Sequence, residues 1–328
     1  MPDDIVTRRA TRDDIPSILE LARRALGWND DDARFLEWKH FENAFGESPM
    51  WVAEASDGVI AGFRTLLRWE LITPGGEILR AVRAVDTATD PAFQGRGIFT
   101  TLTLAAIDEL RDEGVDLVFN TPNEKSRPGY LKMGWTEVGQ LPTEVRPNHW
   151  RFPLAVARAR QAATRDALPT DVGDPAPAAL ADAGALETLL ATVPRAAGLA
   201  TRRTPEYLAW RYGNPDLGYR VVSDGSTERG IAVFRLRRRG GAVEAVVGDV
   251  LVPADSKAGE RRLVRKIAAA NADYLLRLGS TATGGAIPRG GFFRLPRTGP
   301  ILTCRPLDDA PAPPLSDWAL TMGDVELL

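Results

Sequence analysis

Thiols and imidazoles are scarce in this chain of 328 residues, which has one cysteine, Cys304, and two histidines, His40 and His149. A single cysteine excludes an intrachain disulfide and a thiolate cluster. Two histidines argue against a zinc finger or a histidine-rich metal site, so we expect no metal. Neither histidine neighbours a nucleophile-elbow pattern, which also disfavours a Ser-His-Asp or Cys-His triad.

An excess of one charge is lacking as well, since 41 Lys and Arg residues oppose 44 Asp and Glu residues and leave a net charge of −3. No global field then draws the chain to nucleic acid or to a membrane surface. No apolar stretch reaches membrane length, and the acidic start Met1-Pro2-Asp3-Asp4 does not resemble a signal peptide. These features predict a cytoplasmic protein without a nucleic-acid or membrane partner.

A glycine-rich loop joins a predicted strand to a predicted helix. Residues 84–89 are small or β-branched, as in a strand, and Asp90-Pro91 ends it. The helix that follows has the apolar stripe Ile98, Leu102, Ala106 and Leu110. Gly95 and Gly97 therefore lie at a helix N-terminus, where free N–H groups and absent Cβ atoms favour a bound pyrophosphate. The alternative is a plain glycine turn.

The next segment completes a β-loop-α-β unit. Residues 116–120 form a short apolar run that predicts a buried strand, parallel to the strand before the loop. Residues 126–133 then predict a short helix that ends at Gly134. Tyr130 lies in this helix, and its ordinary interpretation is a core aromatic residue with its hydroxyl at the rim.

Together these segments resemble the acetyl-CoA motifs of the GNAT acyltransferase superfamily over roughly residues 4–150. The resemblance rests on the loop from Gln94 to Gly97, on Asn123, on Tyr130 and on the ending Lys132-Met133-Gly134-Trp135. It implies that acetyl-CoA is the co-substrate and that Tyr130 protonates the leaving thiolate. The cofactor-binding residues that it implies are Thr87, Ala88, Thr89, Gln94, Gly95, Arg96, Gly97, Ile98, Phe99, Thr100, Asn123 and Ser126.

Phe99 departs from the family pattern, which usually has Gly or Ala at this position of the loop. The turn must therefore accommodate a large side chain. Because the other motif positions are present and in order, we interpret Phe99 as a subfamily variation.

The chain also contains a faint internal repeat. Residues 35–46 recur as residues 207–218 with the same order of Trp, Asn and Gly, and each copy is followed by an Asp-Gly turn. We predict an α/β fold of two tandem GNAT-like units, each a mixed, mostly antiparallel sheet flanked by helices. The predicted division is a catalytic domain at 1–152, a bridging helix or linker at 153–178 and a degenerate domain at 179–328.

The second copy lacks the chemical motifs of the first. Asp255 and Lys257 interrupt the segment 254–259 that replaces the glycine loop, and residues 287–292 hold no tyrosine. We therefore expect one acetyl-CoA site, in the first unit. The second unit would shape the acceptor site or a homodimer surface, or simply cover a sheet edge.

The general base is the least determined group. Asp86 lies on the strand before the loop, although it could simply pair with Arg64 or Arg83. The C-terminal carboxylate of Leu328 is another candidate, because some tandem relatives bring the chain end into the site. Glu37 and the run Asp30-Asp31-Asp32 are further candidates for the base, and with Trp28, Trp38 and Trp51 they could line a pocket for a cationic amine. For the three aspartates, a solvated loop and a helix N-cap is the alternative.

The leading hypothesis is an N-acyltransferase that moves an acetyl group from acetyl-CoA directly to an amine in a ternary complex. A non-catalytic acyl-CoA-binding sensor is the second possibility, and an aminoacyl-transferase-like relative is the third. Tyr130 favours the enzyme, because a binding protein needs no acid there. The acceptor stays open among small amines, antibiotics, peptide N-termini and lysines.

Overall fold

The computed structural model describes residues 5–29, 32–150, 152, 154, 163–256, 258–279 and 289–326. The chain forms two compact units. The first comprises Met1–Leu71, Ile78–Gly139 and Ile301–Pro313. The second comprises Ile72–Glu77, Gln140–Pro300 and Pro314–Leu328.

The strands are β1 Ile5–Arg9, β2 Met50–Ala55, β3 Ile60–Ile72, β4 Ile78–Thr89, β5 Leu117–Asn120, β6 Thr136–Gln140, β7 Thr143–Pro147, β8 Ala163–Leu168, β9 Asp174–Pro175, β10 Ala200–Thr201, β11 Arg220–Ser223, β12 Ile231–Arg239, β13 Ala242–Leu251, β14 Tyr274–Leu278, β15 Phe293–Leu295 and β16 Ile301–Pro306. The helices are α1 Ile15–Leu26, α2 Asp32–His40, α3 Ile98–Asp112, α4 Arg127–Lys132, α5 Ala176–Ala179, α6 Ala183–Thr192, α7 Pro205–Gly213, α8 Gly259–Ala268 and α9 Met322–Val325.

The first unit is built on a mixed sheet with the strand order β1-β2-β3-β4-β5-β16-β6. Strands β4 and β5 run parallel, whereas β1, β2 and β3 are antiparallel neighbours. One face of the sheet packs on the apolar stripe of α3, which is buried as its spacing predicts. The other face packs on Ile18, Leu21 and Ala22 of α1. Helices therefore cover both faces of the sheet.

The second unit repeats this plan. Its sheet has the order β15-β7-β14-β13-β12-β11-β9, with β8 also paired to β12. Strands β13 and β14 are its parallel pair, equivalent in place to β4 and β5. Helix α8 buries Leu263, Val264 and Ile267 against this sheet. The predicted fold class, two tandem GNAT-like α/β units with mixed sheets, is confirmed.

The units do not divide at one linker, in contrast to the predicted boundary. Strand β7, predicted within the first domain, pairs with β14 and β15 of the second sheet. Strand β16, predicted within the second domain, pairs with β5 of the first sheet. The predicted linker 153–178 contains β8 and β9, which pair with β12 and β11. Residues 153 and 155–162 of that linker lie outside the described residues.

Candidate active site

The glycine loop leads into α3 in the conformation that only glycine adopts readily. Gly97 is the N-cap residue of α3, with φ 77° and ψ 8°, and Gly95 also has φ 77°. A Cβ atom added to either glycine would meet no other heavy atom within 4 Å. The space outside both residues is therefore open. It suits a pyrophosphate, because the first-turn N–H groups of the helix have no partner within it.

Strand β4 continues past the strand that it pairs with. The parallel ladder joins residues 81–83 to residues 117–119 and ends there. Strand β4 runs on to Thr89, whereas β5 ends at Asn120. The edge from Thr87 to Thr89 therefore extends beyond the ladder with β5 and leads directly to the glycine loop. An extended chain such as pantetheine could lie along an edge of this kind.

Tyr130 is 3% exposed and lies among aromatic rings. Its ring centroid is 5.2 Å from that of Trp135 and 5.5 Å from that of Phe99. The unusual Phe99 is accommodated by Gly129, since a Cβ atom there would lie 3.1 Å from the Phe99 ring. The predicted large side chain in the turn thus contributes to the packing around Tyr130.

Arg64 of β3 is the partner of the Tyr130 hydroxyl. Its Nη2 donates a hydrogen bond of 2.7 Å to that oxygen. We had no sequence-based expectation of this contact, because Arg64 and Tyr130 are far apart in the chain. One signal was present, since Arg64 is the only charged residue in the otherwise apolar or small stretch 60–67.

Asn123 and Ser126 form a local turn before α4. Asn123 Oδ1 accepts hydrogen bonds from the backbone N–H groups of Lys125 and Ser126, at 3.0 and 2.9 Å. The Ser126 hydroxyl donates to the same oxygen at 3.1 Å. These bonds hold the start of α4 and so position Tyr130. Their cofactor role stays a prediction.

Asp86 has φ 24° on β4 and pairs with two residues at the end of α2. Its Oδ2 lies 2.8 Å from Lys39 Nζ and 2.8 Å from His40 Nε2. The alternative partners Arg64 and Arg83 lie elsewhere, and the Arg83 guanidinium contacts aromatic rings. Lys39 and His40 are buried. We did not predict this cluster, because contacts between a helix and a distant strand leave no local pattern.

The two pKa values in this cluster are both lowered. Burial lowers the pKa of the His40 imidazole below 6.5, against the opposing effect of Asp86. Burial alone would raise the pKa of the Asp86 carboxyl, but the charge of Lys39 and the hydrogen bond from His40 outweigh it and hold that pKa well below its usual range. Near neutral pH, His40 is therefore neutral and Asp86 ionised.

This protonation state predicts a pH dependence of stability. As pH falls through 6.5, the unfolded state protonates His40 and the folded state does not. The free energy of unfolding should therefore drop between pH 7.5 and 5.5 by about 1 kcal/mol more in the wild type than in His40→Gln. Urea titrations at both pH values measure this difference. His149→Gln, which alters the exposed histidine, should keep the wild-type slope. Equal slopes in all three proteins would contradict a buried neutral His40.

The predicted acceptor-pocket residues have different surroundings. Trp38 is buried against Phe35, with ring centroids 5.1 Å apart. Glu37, the adjacent residue, is exposed and pairs with Arg12 at 3.3 Å. Trp28 is partly buried and packs on the apolar cluster that contains Ile18, Leu21 and Ala22 of α1. Successive residues of a helix point about 100° apart, so Glu37 and Trp38 face different surroundings.

Two of the other predicted pocket residues, Asp32 and Trp51, are buried and hydrogen-bonded. Asp32, the first residue of α2, is buried and accepts the backbone N–H of Asn29 at 2.6 Å, so it is neither solvated nor the N-cap residue. Trp51 is fully buried, and its indole N–H donates to Glu109 at 2.8 Å. Asp30, Asp31 and the Leu328 carboxylate lie outside the described residues.

The described residues hold neither a cluster of metal-ligating side chains nor a membrane-spanning helix. No group of three or more His, Cys, Asp or Glu side chains is arranged there to hold a metal ion. Across the same residues, no helix is both long enough and apolar enough to cross a membrane.

An open-edged mixed sheet, a glycine loop at a helix N-terminus and a buried tyrosine define a GNAT-type unit. Residues 6–138 match the model of the acetyltransferase (GNAT) domain. No curated protein matches it in sequence. The family match supports N-acyltransferase activity.

Solved structures share the fold of both units. A GCN5-related N-acetyltransferase from Anabaena variabilis is 12% identical, with a TM-score of 0.62 over 93% of this chain and 73% of that one. A probable N-acyltransferase from Enterococcus faecalis is 11% identical, with a TM-score of 0.65 over 92% and 73%. Eis1 from Mycobacterium abscessus is 16% identical, with a TM-score of 0.54 over 93% and 74%. The fold of this chain therefore recurs in proteins of low sequence identity.

Proposed function

We propose that the protein is an N-acetyltransferase that transfers an acetyl group from acetyl-CoA directly to an amine. The observation that carries this proposal is the buried hydroxyl of Tyr130, which lies in the helix after a glycine loop and an open strand edge. A loop alone would suit a binding protein. A buried phenol with a charged donor on its oxygen suits proton transfer.

Acetyl-CoA would bind along the first unit in two parts. The pyrophosphate would accept hydrogen bonds from backbone N–H groups between Gln94 and Thr100, where Gly95 and Gly97 leave the main chain accessible. Pantetheine would lie along Thr87, Ala88 and Thr89. The acyl carbon would then lie near the middle of the sheet. Asn123 and Ser126 would hold the turn before α4 on the other side of the cofactor.

Direct transfer of the acetyl group requires a donor for the thiolate proton and an acceptor for the amine proton. The amine nitrogen bonds to the acyl carbon while the C–S bond breaks, and the sulfur takes the phenol proton of Tyr130. The amine loses one proton, so the net products are the amide and the free thiol. The phenolate recovers a proton from solvent.

For the amine proton we propose the pair of Asp86 and His40. The pKa values of both residues are lowered, so proton removal by this pair would depend on close contact with the amine and not on a high pKa. An ionised carboxylate only accepts, so the hydrogen bond between them puts a proton on His40 Nε2 and leaves Nδ1 as an acceptor. In the described part of the chain, no donor bonds Nδ1. Wild-type turnover by His40→Gln would contradict this role.

The first experiment is an amine panel with detection of the released thiol. It should include small polyamines, aminoglycosides, peptide N-termini and lysine peptides, each with acetyl-CoA. Thiol release above the acetyl-CoA hydrolysis background with at least one amine supports the proposal. Binding of acetyl-CoA without release with any of them supports the sensor instead.

We predict that one acetyl-CoA binds per chain. In the second unit, the segment equivalent to the glycine loop lines a cavity of about 520 Å³ together with Asp224, Glu228 and Asp255. Arg262 is engaged by Asp224 at 2.7 Å, and a Cβ atom on Gly259 would lie 2.4 Å from Ser256 Oγ. Carboxylates and a filled loop disfavour a pyrophosphate there.

Calorimetric titration with acetyl-CoA gives the number of sites. We expect a stoichiometry near one, and the same value in Asp255→Ala, which alters only the second unit. A stoichiometry near two would refute the assignment of a single site. Lys257, also expected to interrupt this segment, lies outside the described residues.

A further inference from the structure

Among the described residues, no carboxylate pairs with the buried guanidinium of Arg64. Its side chain is 0% exposed, and Nη2 donates to the Tyr130 hydroxyl. Nε and Nη1 are buried and have no hydrogen-bond partner among the described residues. Removing a guanidinium from water without a counter-ion is costly, so a fold does not keep such a residue for stability.

Some of the other buried arginines have carboxylate partners, whereas Arg211 donates to backbone oxygens and to the Tyr219 hydroxyl. In the second unit, Arg235 pairs with Glu326 at 2.9 Å, and Arg237 pairs with Glu244 at 2.5 Å. Arg203 pairs with Asp249 at 2.7 Å. Arg64 therefore differs from Arg235 and Arg237, whose charges are paired, and resembles Arg211 in donating to a tyrosine hydroxyl.

Aromatic faces supply part of the missing stabilisation. The Arg64 guanidinium carbon lies 5.3 Å from the Tyr130 ring centroid and 5.5 Å from the Phe99 ring centroid. Both distances are within the range of a cation–π contact. Phe99, the residue that departs from the family pattern, therefore helps to hold the cation beside the phenol.

The direction of the hydrogen bond is fixed by chemistry. A guanidinium has donors and no acceptor, so the Tyr130 oxygen must accept. The phenol proton must then point away from Arg64. A positive charge beside the oxygen also stabilises the phenolate that remains after the proton has left.

We propose that Arg64 is a positioning residue for Tyr130, which directs the phenol proton to the departing thiolate and stabilises the phenolate left behind. This inference rests on the proposed acetyltransferase function. It makes Arg64 act through the Tyr130 hydroxyl, not through contact with acetyl-CoA. The two residues should therefore behave as one unit.

A double-mutant cycle tests this coupling. Arg64→Met, Tyr130→Phe and the double variant are compared in single-turnover assays with the best acceptor. We expect Arg64→Met to lower the rate about tenfold when Tyr130 is present and less than about twofold when Phe replaces it. The dissociation constant of acetyl-CoA should change less than about twofold in all three variants.

The matched control is Arg83→Met. Arg83 is also buried, and its guanidinium carbon lies 5.3 Å from the Trp69 ring centroid and 5.1 Å from that of Phe119. Any loss of rate in Arg83→Met should be the same with Tyr130 or Phe at position 130. If Arg64→Met does not fold, Arg64→Lys replaces it in the cycle; because Lys keeps the charge and loses only the planar fork, the coupling should be smaller but still above about twofold.

A second readout uses the leaving group. A more acidic thiol leaves with less help from a proton donor. With acetyl thioesters of such thiols, the decrease in transfer rate caused by Arg64→Met should therefore be smaller. Additive effects of Arg64→Met and Tyr130→Phe, or a loss independent of the leaving group, would overturn the role of Arg64 and leave the acetyltransferase proposal intact. A wild-type protein that binds acetyl-CoA and acetylates no amine would overturn both.

Discussion

Tyr130→Phe is expected to lower the rate of acetyl transfer by about ten to a thousandfold and to leave acetyl-CoA binding nearly unchanged. The change removes one hydroxyl and keeps the ring that packs on Trp135 and Phe99. The packing of the site should therefore survive. The expected loss of rate extends below the usual contribution of general acid catalysis, because a CoA thiolate is already a tolerable leaving group.

Single-turnover kinetics with the best acceptor, together with calorimetric affinities, measure this prediction. The matched control is Tyr274→Phe, which removes another buried hydroxyl that donates to Glu244 at 2.9 Å in the second unit. It should keep the wild-type rate within about twofold, because it is outside the proposed chemistry. Wild-type rates in Tyr130→Phe would reduce Tyr130 to a core aromatic residue and contradict the mechanism.

Gly97→Val is expected to weaken acetyl-CoA binding by at least about tenfold, which corresponds to about 1.4 kcal/mol. Gly97 has φ 77°, which a β-branched residue adopts only with strain. Its added side chain would enter the open space where we propose the pyrophosphate. Both effects act on the ligand site without a clash inside the protein.

Gly58→Val separates backbone strain from loss of the site. Gly58 has φ 84° in the turn between β2 and β3, and a Cβ atom there also meets nothing within 4 Å. This variant should lose stability and keep its affinity for acetyl-CoA within about twofold. Calorimetry on both folded variants decides the matter. Unchanged affinity in Gly97→Val would mean that the loop does not hold the cofactor.

The local parts of the fold could be predicted from the sequence. The glycine loop and the stripe of α3 follow from backbone freedom and a helical period, which act over a few residues. The positions of β7 and β16 could not be predicted, because strand pairing over more than a hundred residues leaves no mark in a short window.

The residues of the candidate site also fall into those that the sequence predicts and those that only the folded structure shows. Tyr130 follows from a motif with fixed spacing, and the structure buries it beside Trp135 as that spacing requires. Its partner Arg64, and the partners Lys39 and His40 of Asp86, lie on other elements that only the folded chain brings together. A charged residue within an otherwise apolar strand, such as Arg64, is the one sequence feature that indicates a buried polar contact of this kind.

Strand β16 lies between β5 and β6 of the first sheet, although it is made after nearly all of the second unit. During synthesis on the ribosome, the first sheet cannot be completed until Pro306 has emerged. A gene shortened after the first copy would encode a sheet with a gap beside β5. The first sheet therefore depends on one continuous chain that runs through the second unit before it returns.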